Sequence, residues 1–220
     1  MADLVIAALV AGPLEAGQPG FLAVEYTIQP GWHIYWENPG ESGIPTEVSL
    51  ELPDGVTAQP TQYPGPHSFP APGDLINYGY ENHTTLLVPV TLSGDPQGTA
   101  SASTRWLVCR DEQCVPGKAD LTLDLAAPPT LDVSAASAHL PAPMPDNATV
   151  TRSAGDITVS IPGATIEETY ANLALETVFV QAASRGEQAR LWLSDAAPAG
   201  SSVVFRVQQD GAERFYALAP

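Results

Sequence analysis

Cysteine is almost missing from this chain. Its 220 residues hold two, Cys109 and Cys114, with four residues between them in "WLVCRDEQCVPG". Basic residues are scarce as well. Eight Lys and Arg stand against 25 Asp and Glu, a formal net charge of −17. A protein that grips nucleic-acid phosphates or an anionic membrane surface needs the opposite sign, so both are poor partners. The charge would steer in a basic protein, and it serves equally well to keep a domain soluble. No apolar run reaches the ~18 residues of a membrane span. The opening "MADLVIAALVAG" has no basic segment and carries Asp3, so it reads as a first strand rather than a signal peptide, although a leader removed earlier is compatible with it. No Gly-rich phosphate loop, nucleophile elbow, paired-carboxylate arrangement or internal repeat stands out.

Hydrophobic residues, proline and glycine are plentiful. The chain is 44% hydrophobic, enough to bury a core. It carries 22 Pro and 18 Gly, which with abundant Val, Thr and Leu favour short strands joined by turns over long helices. Residues 1–127 read as one all-β unit, with strand candidates at 21–29, 32–38, 46–52, 84–92, 99–108 and 118–125. Strands at this spacing suggest a β-sandwich. Residues 58–82 are rich in proline and aromatics, and are expected to be a long packed loop. Residues 128–147 are rich in Pro, Ala and Ser and read as a linker, with a short helix around 131–139. Residues 148–220 are expected to form a smaller β-rich domain, in which "ATIEETYANL" has the composition of a short helix.

The two cysteines flank "RDEQ", a polar stretch suited to a four-residue hairpin loop. That loop would set them opposite each other on neighbouring strands, within bridging distance. A bridge closing so short a ring constrains the unfolded chain by only ~2 kcal/mol. It is a weak staple and a convenient switch, because it opens without releasing a distant part of the fold. Spacing alone leaves the structural and redox readings equally open. A zinc site needs about four ligands, and no CxxC or HxxxH accompanies the pair, so no metal or cofactor is expected. His33, His67, His83 and His139 are scattered. With Met144 they raise copper as an alternative, but none has ligand spacing. Of the flanking charges, Arg110 favours a thiolate while Asp111 and Glu112 oppose it.

Three stretches, "GWHIYWENPGESGIP" (31–45), "PGPHSFPAPGDLINYGYENHTTLLVPV" (64–90) and "WLVCRDEQCVPGKADLTL" (106–123), resemble in order the N-terminal periplasmic domain of the thiol:disulfide interchange proteins of DsbD and ScsB type. The longer N-terminal region is nearer the ScsB branch. The resemblance implies an immunoglobulin-like sandwich followed by a second domain. It also implies a redox-active Cys109/Cys114 pair. That pair would take electrons from a thioredoxin-like domain or the membrane-embedded part of the full-length protein, and pass them to oxidised periplasmic proteins. It further implies an aromatic cap over the disulfide, for which Phe69 aligns best, and places His33 and Tyr35 beside the cysteines. The family's better-known members hold one more residue between their cysteines. From the residues themselves, Phe69 serves equally well in a small core of its own loop. His33 and Tyr35 alternate with Trp32, Ile34 and Trp36 along one strand, so one of those two faces is core. Tyr78 and Tyr80 read as packing. An immunoglobulin-like binding module with an inert bridge remains the alternative from another class, and copper handling a third.

Overall fold

The computed structural model describes residues 3–110, 113–153, 156–172, 179–193 and 202–218. The chain divides into two compact units, Met1–Ala138 and His139–Pro220. The first contains β1 (Val5–Ala11), β2 (Pro19–Ile28), β3 (His33–Gly40), β4 (Glu47–Glu51) and β5 (Val56–Ala58). It continues with β6 (His67–Ala71), β7 (Leu75–Glu81), β8 (His83–Leu92), β9 (Thr99–Arg110) and β10 (Gln113–Asp124). One sheet runs β1-β2-β8-β5 and the other β10-β9-β3-β7-β6, with β4 also pairing β9. Inward side chains of both sheets make the core, among them Leu22, Val24 and Tyr26 on β2, Leu86 and Val88 on β8, and Ile34 and Trp36 on β3. Each such burial is worth ~1.5–3 kcal/mol. Tyr26 reaches across the layers. Its ring meets Trp106 of β9 edge-on, centroids 5.8 Å apart, and its hydroxyl is hydrogen-bonded to Thr104. The unit is an immunoglobulin-like β-sandwich.

The second unit contains β11 (Ala142–Pro143), β12 (Thr149–Ser153), β13 (Asp156–Ser160), β14 (Ala164–Asn172), β15 (Phe179–Arg185), β16 (Gln188–Leu193), β17 (Ser202–Gln209) and β18 (Ala212–Leu218). Its sheets run β11-β18-β17-β14 and β12-β13-β16-β15. Ile157, Val159 and Leu191 of one sheet pack with Ile166, Val203, Phe205 and Val207 of the other. Arg206 is ion-paired with Glu167, Glu168 and Glu213 at one side of this unit. Both units are all-β apart from the short helix α1 (Val133–Ser137), which is capped by Asp132 through a hydrogen bond from the Ala135 amide. Among the described residues no helix is long and apolar enough to cross a membrane.

Four sequence expectations change. The stretch 58–82 is not one irregular loop, because its second half is the β6–β7 hairpin. Prolines masked it. Pro70 lies on β6, the outer strand of its sheet, where a missing N–H breaks no ladder. Gly73 and Asp74, both at positive φ, make the turn. "RDEQ" is not a four-residue loop, since Arg110 and Gln113 still pair. "ATIEETYANL" is strand β14 over its described residues. Thr165, Ile166 and Thr169 are β-branched, and the segment pairs β17 across a bulge between Ile166 and Glu168. Finally, much of 128–147 belongs to one unit or the other. The amides of Thr130 and Leu131 donate to the Ala11 carbonyl, and Ala142–Pro143 pair with β18.

Candidate functional site

Cys109 is the last residue but one of β9 and Cys114 the second of β10, and the hairpin register places them directly opposite each other. They are joined by a disulfide with Cα atoms 4.2 Å apart. The two sulfurs sit in different surroundings. Cys109 belongs to an inner strand and is 2% exposed, whereas Cys114 lies on the outer strand β10 and is exposed with its neighbours Gln113, Val115 and Pro116. The hairpin is held close below the bridge. Gly117 faces Trp106, whose indole stands 2.4 Å from where a Cβ would lie, so only glycine lets β10 approach that ring.

The next strand inward is β3. His33 pairs with Cys109 on one side and with Glu81 of β7 on the other. Residues directly opposite in antiparallel strands share a face. Glu81, His33, Cys109 and Cys114 therefore form one row across four strands. Phe69 of β6 stacks flat on the His33 ring, centroids 4.6 Å apart at 8°, and Tyr35 meets the same ring edge-on at 5.3 Å. Burial holds His33 below the usual imidazole range and pushes Tyr35 above the usual phenol range. His33 Nε2 is buried and has no hydrogen-bond partner among the described residues.

The structure thus brings together Cys109, Cys114, His33, Tyr35 and Phe69. Phe69 belongs to a sheet strand and packs on His33, not in a core of its own loop. Trp32, Ile34 and Trp36 make the core face of the "WHIYW" strand, and Tyr35 on the opposite face is buried as well. Tyr35 is covered by the 41–46 turn, where Gly43, at positive φ, has the phenol ring within 2.3 Å of its would-be Cβ. Tyr80 packs in the core and donates to the Pro64 carbonyl, and Tyr78 meets Trp36 edge-on. Gly79 between them lies so close to the Ile34 carbonyl that a Cβ would collide with it. Arg110 lies over Trp32, 4.8 Å from the ring centroid, while Asp111 and Glu112 fall outside the described residues. Among the described residues no group of three or more His, Cys, Asp or Glu could hold a metal ion. Glu81 was missed from sequence. It closes "YGYE", and no local signal tells which residue of β3 it will face.

A family model described as thiol:disulfide interchange protein DsbD, N-terminal, matches residues 7–126, which span the disulfide and its surroundings. The chain belongs to the DsbD N-terminal domain family. No curated protein sequence matches it. Among solved structures, the N-terminal periplasmic domain of ScsB from Proteus mirabilis is similar with a TM-score of 0.66 at 19% identity, covering 97% of this chain and 91% of that one. This likeness extends the shared fold through both units of the DsbD-family chain. The reduced DsbD N-terminal domain of Neisseria meningitidis matches with a TM-score of 0.37 at 10% identity, over 55% of this chain and 86% of that one.

Proposed function

We propose that this domain is a two-electron relay of the bacterial periplasm, working through Cys109 and Cys114. It takes electrons from a thioredoxin-like protein or domain, or from the membrane-embedded reductase part of the same full-length protein. It gives them to oxidised periplasmic proteins. In the loading step a donor thiolate attacks Sγ of Cys114, Cys109 leaves as a thiolate, and a mixed disulfide forms. The donor's second thiolate then displaces Cys114, so one disulfide is reduced as another is made. In the unloading step the same bonds form and break in reverse order, with an oxidised protein in place of the oxidised donor.

The observation that carries this reading is the unequal placement of the two sulfurs in a bridge between strands that a long ladder already joins. Strands β9 and β10 pair from Arg110↔Gln113 to Thr99↔Asp124, so the ladder holds the hairpin whether or not the sulfurs are joined. Exposed Cys114 is available for attack, and buried Cys109 is left to resolve the intermediate. A redox titration of the pair tests the proposal against an inert bridge in a binding module. The expected potential lies in the range of exchange proteins, about −120 to −270 mV. A value below about −300 mV would identify a structural bond and end the relay reading.

A further inference from the structure

We propose that His33, backed by Glu81, is the base that takes the proton from Cys109 when the disulfide closes and returns it when the disulfide opens. This deepens the relay reading above and rests on it. Cys109 is buried, so its thiol cannot readily lose a proton to solvent, and burial itself disfavours the thiolate. It needs an internal acceptor. The residue opposite it on β3 is His33. Cross-strand pairs of this kind have Cβ atoms ~4.5–5.5 Å apart, within reach of an imidazole and a sulfur. With the disulfide closed, the buried Nε2 of His33 has no hydrogen-bond partner among the described residues. A closed disulfide has no proton to offer. An opened one supplies a thiol or a thiolate, either of which pairs with that nitrogen in the matching protonation state.

Glu81 lies opposite His33 on the far side of the row and is exposed, a position from which a carboxylate can pass a proton between the half-buried ring and solvent. A carboxylate, an imidazole and a sulfur in sequence is the order of an activated thiol. Among the described residues the groups facing His33 are Glu81 from β7, Cys109 from β9 with Cys114 beyond it, Tyr35 on its own strand and the Phe69 ring from β6. The next titratable or charged groups are His67, opposite Gly79, and Arg110, engaged with Trp32. The lowered pKa of His33 keeps the ring neutral near pH 7, with a lone pair ready to accept.

The protons and electrons balance as follows when the reduced pair meets an oxidant disulfide. The Cys114 thiolate attacks it and expels the first thiolate. Cys109 gives its proton to Nε2, and the resulting thiolate attacks Sγ of Cys114, expelling the second. Two thiols become one disulfide, the oxidant gains two electrons, and the His33 proton passes by way of Glu81 to water.

The reduced full chain, mixed with one equivalent of 5,5′-dithiobis(2-nitrobenzoate), releases two coloured thiolates in succession. The second release reads the Cys109 step alone, and it is followed from pH 6 to pH 9 in variants checked for folding by circular dichroism. His33→Phe keeps the ring stack without a base, and its second release is expected to slow ~10²-fold at pH 7. It should approach the unmodified chain as pH rises past the ordinary thiol range, about 8.5. Glu81→Gln changes an exposed group and is expected to slow the second release several-fold and to move its pH midpoint. His33→Gln serves in place of His33→Phe should the latter not fold. A second release that matches the unmodified chain at every pH, in a folded His33 variant and in Glu81→Gln, would overturn the proposal. The probe needs no physiological partner. An inert bridge would therefore fail the redox titration and leave this readout intact. A proton route that fails here would leave the relay standing.

Discussion

Cys109 and Cys114 differ in exposure more than in chemistry, and the proposed division of roles rests on that difference. Exchange passes through a mixed disulfide, which requires one sulfur within the partner's reach and another to resolve the intermediate. In the proposed relay the exposed Cys114 is the partner-facing sulfur. Cys109→Ser is therefore expected to accumulate a mixed disulfide with a thioredoxin-like protein, seen as a reducible band on a gel, while Cys114→Ser accumulates little. Equal trapping by both, or trapping mainly through Cys109, would reverse the assignment. Phe69 is the second residue whose role is open to test. It lies flat on His33, beside the row that ends in the sulfurs. If it shields them, Phe69→Ala should speed reduction by small thiols about tenfold, a barrier change of ~1.4 kcal/mol, in a chain that still folds. An unchanged rate would leave Phe69 as packing alone.

At the level of elements, local pattern was enough for most strands and not for their neighbours. Strand-forming runs bounded by turn residues located β2, β3, β4, β8, β9 and β10, because a half-buried strand repeats every two residues and stops where the turn begins. The cysteine hairpin was legible for the same reason, since both flanks alternate and the segment between is polar. Proline hid β6. An outer strand tolerates residues that an inner one cannot, and sequence does not say which strand will be outermost. The "ATIEETYANL" segment misled because its glutamates and alanines suit a helix, while the demand for a fourth strand beside β17 came from tertiary pairing. The row Glu81–His33–Cys109–Cys114 was the least legible feature. The row depends on the register of three strand pairs, and two of them, β3 with β7 and β3 with β9, join strands distant in sequence. Gly79 shows how narrowly that register is set, because the β3 backbone passes where any other side chain would begin.

For the whole molecule, the division after Ala138 separates the disulfide from the second sandwich. Each unit has its own core. Residues 1–138 are expected to fold alone, to unfold cooperatively and to keep the potential of the full chain within ~30 mV. Circular dichroism and a redox titration of the fragment check this. A folded fragment that cannot be reduced would make the second unit part of the site instead of a platform. The hairpin also has a consequence for the timing of the proposed cycle. Because the β9–β10 ladder keeps Cys109 opposite Cys114, the resolving sulfur stays at high effective concentration throughout the mixed disulfide. The partner's dwell time is then set by one intramolecular attack and not by the strength of the grip between the two proteins. A covalent bond holds the partner for as long as electrons need to move, and the same chemistry that moves them lets it go.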